Sequence, residues 1–186
     1  MARDAEDTKR RLLQAAADEF AQRGIAGARV DRIAAAANAN KALIYSYFGN
    51  KEDLFDAVFH ALVVDTVHDV PIDADDLPGY AGRLFDRHLS HPEALRLAIW
   101  HSLERGGAAL PDAVILADQG KVQAIAEAQE RGVVSRRFPA GELMIMIVGL
   151  SILGSPVLVM TQTDNVEERR RTVTEAVRLL TEGDKS

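Results

Sequence analysis

Residues 29–54, RVDRIAAAANANKALIYSYFGNKEDL, constrain the fold more than any other stretch of the chain. Val30, Ile33, Ala34 and Ala37 recur at helical spacing and give a short helix one apolar face. Asn38 follows, a residue that tolerates the left-handed backbone at a helix exit. Asn40 suits the N-cap of a second short helix, Lys41–Phe48. Asn50 suits the cap of a third, with Asp53 in the capping-box position. Two short helices with so brief a connection fit a helix-turn-helix, whose second helix lies in the DNA major groove. On that helix Lys41, Tyr45, Ser46 and Tyr47 offer a cation and three hydroxyls to phosphates and base edges, while Leu43, Ile44 and Phe48 can pack inward. An ordinary helical hairpin with solvated tyrosines has the same periodicity, so periodicity alone leaves both readings open.

The run also resembles the DNA-binding signature of the TetR family of bacterial transcriptional repressors. The matching residues are Ile33-Ala34, then Lys41 through Leu54, including Leu43-Ile44-Tyr45-Ser46-Tyr47-Phe48 and Asn50-Lys51-Glu52-Asp53-Leu54. Upstream, Arg11-Leu12-Leu13, Ala15-Ala16, Phe20 and Gly24 match as well, so the resemblance covers roughly residues 8–60. The family often has Gly at the Asn38 position, Ser or Thr at Asn40, and a small polar residue at Leu43. The resemblance implies a DNA-contacting set of Arg29, Lys41, Ala42, Leu43, Tyr45, Ser46, Tyr47 and Lys51. Lys41, Ala42, Tyr45 and Ser46, with Leu43, are expected at base edges. Tyr47 and Lys51 are expected on phosphates, with Arg29 aided by the N-terminus of the second helix.

A net charge of −6 looks wrong for a DNA binder until its distribution is read. Residues 1–51 hold nine Lys/Arg against six Asp/Glu, leaving +3; residues 52–186 hold thirteen against twenty-two, leaving −9. A basic head on an acidic body is the asymmetry of a protein that meets phosphate at one end. The chain has no cysteine, which excludes disulfides, thiol redox sensing and cysteine-ligated zinc. MARDAEDTKRR has no apolar core and is not read as a signal peptide. The uncharged stretch 143–163 is interrupted by Gly149, Ser151, Gly154, Ser155 and Pro156, so no membrane span is expected and a cytoplasmic protein is.

Alanine and leucine are plentiful and no run alternates β-branched residues between turns, so an all-α fold with no sheet is expected. Residues 1–7 are polar and expected to fray, before helices at Thr8–Arg23, closed by Gly24, and at Lys51–Val67. The acidic stretch from Pro71 to Pro78 reads as a connector. Further helices are expected at Leu77–Ser90, Pro92–Arg105, Pro111–Glu130, Ala140–Thr161 and Val166–Thr181. Gly106-Gly107 stops the second of these, and Pro156 is expected to kink the Ala140–Thr161 helix. The layout of nine helices is similar to that of the TetR family: a three-helix DNA-binding domain over residues 1–50, and a ligand-binding and dimerisation domain over 51–186.

Two surfaces of the second region bear on function. The helix beginning at Ala140 is apolar nearly all round and needs burial on most sides. Pairing it, together with the last helix, with a second copy predicts a four-helix homodimer interface through Val148, Ile152, Val173, Val177 and Leu180. By resemblance, Tyr80, Leu84, His88, Ile99, Trp100, Leu103, Gln119, Gln123 and Met144 come from the helices that enclose the family's ligand cavity. Their mostly apolar mix with a few polar groups suits a small-molecule site. His88 and His91 lack a nearby acidic partner, and neither a metal nor a cofactor is expected. No nucleophile–base pair or phosphate-binding glycine loop is present, so an enzyme is not expected. The expected function is a repressor that binds a palindromic double-stranded DNA operator as a homodimer and is released by a small, largely apolar effector. The alternative is a constitutive or structural DNA-binding dimer without an inducer.

Overall fold

The computed structural model describes residues 2–105, 112–158 and 165–182. They form nine α-helices and no strand: α1 Ala2–Gly27, α2 Val30–Ala36, α3 Lys41–Phe48, α4 Lys51–Asp69, α5 Leu77–Ser90, α6 Pro92–Arg105, α7 Asp112–Glu130, α8 Ala140–Ser151 and α9 Val166–Thr181. The expected Gly106-Gly107 stop, the Pro111 start and the Thr161 end lie outside the described residues.

Three boundaries differ from expectation. The first helix begins at Ala2, not Thr8. The Thr8 hydroxyl donates to Asp4 O at 2.7 Å, and Arg10 and Arg11 pair with Asp7 at 2.6 and 3.3 Å, so side chains one turn apart support the polar first turns. Gly24 bends this helix and does not close it: its φ/ψ of 71/−179° belongs almost only to glycine, and helical residues resume beyond it. Finally, α8 stops at Ser151 and tightens into a 3₁₀ turn, Ile152–Gly154. Ser155, extended at φ/ψ −77/131°, then precedes Pro156, which disfavours helix before it; the chain ends the helix here where a kink was expected.

Packing divides the chain into two units, and not at residue 50. The first holds residues 1–64 with 93–111, and the second 65–92 with 112–186. The first unit therefore takes in α6 as well as the head helices. Its core is Leu12, Ala16 and Phe20 of α1, Ile33, Ile44, Leu54, Phe55 and Leu97, each almost fully buried, and each Leu, Ile and Phe among them is worth ~1.5–3 kcal/mol of burial. Phe20 meets Phe55 edge-on with centroids 5.2 Å apart. On α6, the Trp100 indole donates to Ala21 O at 3.3 Å and Glu104 accepts from the Ala26 N–H at 2.7 Å. A side chain at Gly24 would run into the Trp100 ring, so the bend in α1 and the seat of α6 need the same glycine. His101 is buried and stacks on Phe59 at 5.3 Å. Arg105 lies 5.1 Å over Phe55 and bonds Asp56 at 2.5 Å and Glu52 O at 3.1 Å.

The second unit is built around α5. Leu77, Tyr80, Ala81, Leu84 and Phe85 pack with Ile125 and Ala128 of α7, Leu143, Met144 and Ile147 of α8, and Val173 and Val177 of α9. Gly154 lets the 3₁₀ turn approach the Phe85 backbone, where a β-carbon would collide. Arg170 of α9 holds Asp86 of α5 in a forked pair at 2.8 and 2.9 Å. No described helix is long and apolar enough to cross a membrane.

Candidate nucleic-acid interface

The helix-turn-helix forms as its punctuation implies. Asn38 takes the left-handed conformation, with φ 48°. Asn40 caps α3, its side chain accepting from the Ala42 N–H at 2.8 Å. Asn50 caps α4 through the Asp53 N–H at 2.8 Å and donates back to the Asp53 carboxylate at 2.6 Å. Arg11 of α1 donates to Ala37 O at 3.1 Å and fixes the end of α2.

Glu19 joins α1 to the start of α2. Its carboxylate accepts from the Arg29 N–H at 3.0 Å and from Arg32 at 2.7 Å, with Arg23 at 3.4 Å. Burial pushes this carboxyl up, but the Arg32 hydrogen bond, the Arg29 N–H and the Arg32 and Arg23 charges outweigh it and hold the group below its ordinary value.

On α3, Ile44 and Phe48 face the core, while Lys41, Ala42, Tyr45 and Ser46 are exposed together; Leu43 and Tyr47 are half-buried. The exposed four present a cation, a methyl group and two hydroxyls on one short helix, a surface that can meet base edges and phosphates. Lys41 is not free: its ammonium lies 2.8 Å from the Asp31 carboxylate, in the first turn of α2. That hydrogen bond holds Asp31 below the usual carboxylate range and raises Lys41. Asp31 was absent from the sequence-derived set. The signal for it was an acid opening the helix just before the recognition helix. Arg29 is exposed at the cap of α2. Lys51 is half-buried, its Nζ 3.4 and 3.5 Å from the carbonyls of Ala26 and Ala28.

Comparison with known proteins decides the family. The sequence model for "Bacterial regulatory proteins, tetR family" matches residues 12–58, and that for "Tetracyclin repressor-like, C-terminal domain" matches residues 76–178. The chain belongs to the TetR family of bacterial transcriptional regulators. It is 47% identical over 152 residues to the HTH-type transcriptional repressor SCO4008 of Streptomyces coelicolor, covering 81% of this chain and 79% of the relative. A crystal structure of SCO4942, a transcriptional regulator of the same organism, superposes with a TM-score of 0.82 at 32% identity, covering 94% of this chain and 98% of that one. A transcriptional regulator from Saccharomonospora viridis, solved in complex with choline, shares the fold with a TM-score of 0.68 at 23% identity, covering 96% and 100%. As a TetR-family member the chain is a DNA-binding transcriptional regulator of the helix-turn-helix class and not an enzyme.

The residues that TetR-family resemblance assigns to a ligand cavity fall into two groups. Tyr80, Leu84 and Met144 are buried in the core of the second unit, and His88 is half-buried on the same helix as the first two. Gln119 and Gln123 are exposed on α7, Gln123 bonding Glu127 at 2.9 Å. Ile99, Trp100 and Leu103 belong to the first unit, where Trp100 packs on α1 and Leu103 is 70% exposed. Of the expected dimer residues, Val148, Ile152 and Leu180 are half-buried. Val173 and Val177 are fully buried against α5 within one chain, so neither has surface left for a second copy. The most exposed large apolar side chains described on these helices are Ile145 of α8 and Leu179 of α9, 66% and 62% exposed, which sequence periodicity did not single out.

Proposed function

We propose that this TetR-family regulator is a cytoplasmic repressor that binds a two-fold-symmetric operator as a homodimer and is released by a small, largely apolar molecule. The observation that carries the DNA half is the exposed face of Lys41, Ala42, Tyr45 and Ser46 on a recognition helix capped by Asn40. A monomer presents one such helix, and paired half-sites one helical turn apart need two. Ile145 and Leu179, with Val148, Ile152 and Leu180 beside them, are the apolar surface offered for pairing. The repressor relative at 47% identity supports repression, and the choline-bound neighbour supports a fold that accommodates small molecules.

In this reading α4 carries the response, because the helix that opens with Lys51 in the first unit continues into the second. A ligand that binds one conformation of the second unit more tightly shifts the population by its differential affinity, typically ~1–3 kcal/mol of coupling. The deciding experiment is fluorescence anisotropy on duplexes from the chain's own upstream region, in the unmodified protein and in Lys51→Ala. Lys51→Ala is expected to weaken all sequences alike and to flatten the salt dependence by about one unit of slope. An unchanged slope leaves Lys51 only its role against the Ala26 and Ala28 carbonyls.

A constitutive regulator without an inducer is the second reading. The observation that favours it is the complete burial of Tyr80, Leu84 and Met144 in the core of the second unit. A screen of small molecules that leaves operator affinity unchanged would support it.

A further inference from the structure

Val173, Val177 and Thr181 turn one side of α9 into the second unit, and the forked Arg170–Asp86 pair holds the helix in that orientation. The outward side is fixed with it. A shallow groove runs along that side, lined by Glu168, Arg171, Thr172, Glu175, Ala176 and Leu179. Glu168, Arg171, Glu175 and Arg178 recur at spacings of three and four residues and are all exposed, so their charges form one row on this face. Their contacts within the chain are local. Asn165 donates to Glu168 at 3.2 Å, and Arg178 meets Glu175 at 3.2 Å with both side chains more than half exposed. Exposed pairs of this kind contribute little to the fold and can change partners.

The order of the charges is self-complementary. Read outward from the level of Val173, Arg171 stands two residues to one side and Glu175 two residues to the other. Glu168 stands five residues to one side and Arg178 five to the other. At each step a base answers an acid. A two-fold axis at that level, perpendicular to the helix, lays α9 antiparallel on the α9 of a second copy and exchanges the two sides. Arg171 then faces Glu175 of the second copy about 3 Å from the axis along the helix, and Glu168 faces Arg178 about 8 Å from it, each pair occurring twice. The Val173 side chain stays inside its own chain throughout. Parallel pairing in register opposes every charge to its own kind. Sliding the antiparallel pair by three residues sets Glu168 against Glu175 one way and Arg171 against Arg178 the other. Thr172 and Ala176, beside the centre, are small, and Leu179 adds exposed apolar surface to the same face.

We infer that this row is a self-recognition code. The partner that fits the outward face of α9 is a second copy of this chain, antiparallel and centred at the level of Val173, with Arg171–Glu175 and Glu168–Arg178 pairs formed between the copies. This rests on the homodimer reading above and adds its register and its selectivity. A helix with a different charge order meets like charge at these positions, and that repulsion separates the right partner from a wrong one.

The test uses full-length chains carrying Arg171→Glu or Glu175→Arg, one of them with a short tag so that native mass spectrometry tells the dimers apart. Alone, each variant sets like charges against one another at two places in its dimer, and the Kd for dimerisation read by sedimentation is expected to rise about tenfold. Mixed one to one and exchanged to equilibrium, the variants regain both attractive pairs while the charges within each chain stay as they were. A merely intrachain role for Arg171 and Glu175 therefore produces no preference for mixing. About nine-tenths of the dimers should be mixed, against the roughly one-half of statistical exchange, which is that tenfold difference written as a population. Mixed dimers at about one-half overturn the code. Should either variant not fold, Glu168→Arg mixed with Arg178→Glu makes the same comparison at the outer pair. A parent that sediments as a monomer removes the homodimer reading and the code together. A dimeric parent whose variants mix statistically removes the code and leaves the homodimer, joined in another register or through another face.

Discussion

Asp31 shows how one residue can set the behaviour of a recognition helix. Its carboxylate holds Lys41 at 2.8 Å, and both groups are well exposed, so the pair contributes little to stability. Its effect belongs to binding. A carboxylate next to the first residue of α3 repels phosphate and competes for the one cation on that helix. Asp31→Asn is expected to raise affinity for random duplex DNA, steepen its salt dependence by about one unit, and lower the ratio of operator to random binding. Salt titrations of both duplexes check this; an unaltered slope would place Asp31 away from the phosphates. Glu19 gives a residue-scale prediction of a different kind. A carboxyl held below its ordinary value of 4.5 in the folded chain contributes stability that is complete above that value and is lost as pH falls through the depressed one. Glu19→Gln should therefore cost ~1–2 kcal/mol at neutral pH. Urea unfolding of variant and parent should converge in acid.

At the level of elements, much was legible because the residues that start and stop helices act locally. The start of α3 follows from Asn40, and the end of α5 and start of α6 from His91-Pro92, each of which meets its effect within a few residues of itself. The misses have non-local causes. The bend at Gly24 replaces a stop because Trp100 and Glu104, far along the chain, receive the residues beyond it. Val173 and Val177 read as an interface stripe because periodicity finds an apolar face without saying what covers it; α5 does. The exposed side of α3 was legible for the same local reason as its caps, whereas the Lys41–Asp31 pair depends on how two helices meet. Gly24→Ala tests the bend. The alanine would need a backbone conformation costing ~1–3 kcal/mol and would press its methyl group against Trp100. The thermal midpoint should fall by about 4–8 °C or more, and a fall of under a degree would show that α1 can straighten at no cost.

For the whole molecule, the proposed homodimer rests on surfaces a single chain leaves uncovered. Ile145→Asp puts a charge where apolar contact with a second copy is proposed and, being 66% exposed, should leave the fold of each chain intact. Sedimentation should show a monomer, and operator binding should weaken by an order of magnitude or more. An unmodified protein that sediments as a monomer would remove the interface altogether. The membership of α6 in the first unit reaches furthest. Its Trp100, Glu104 and Arg105 bind to groups on α1 and α4, so the DNA-reading head is discontinuous in sequence. Anyone grafting this head onto another sensor, to rewire which signal controls which promoter, has to transplant two segments. A chimera cut at residue 50 would leave the Ala26 N–H and the Ala21 carbonyl facing a stranger's helix, and the transplanted specificity would arrive without the brace that holds it.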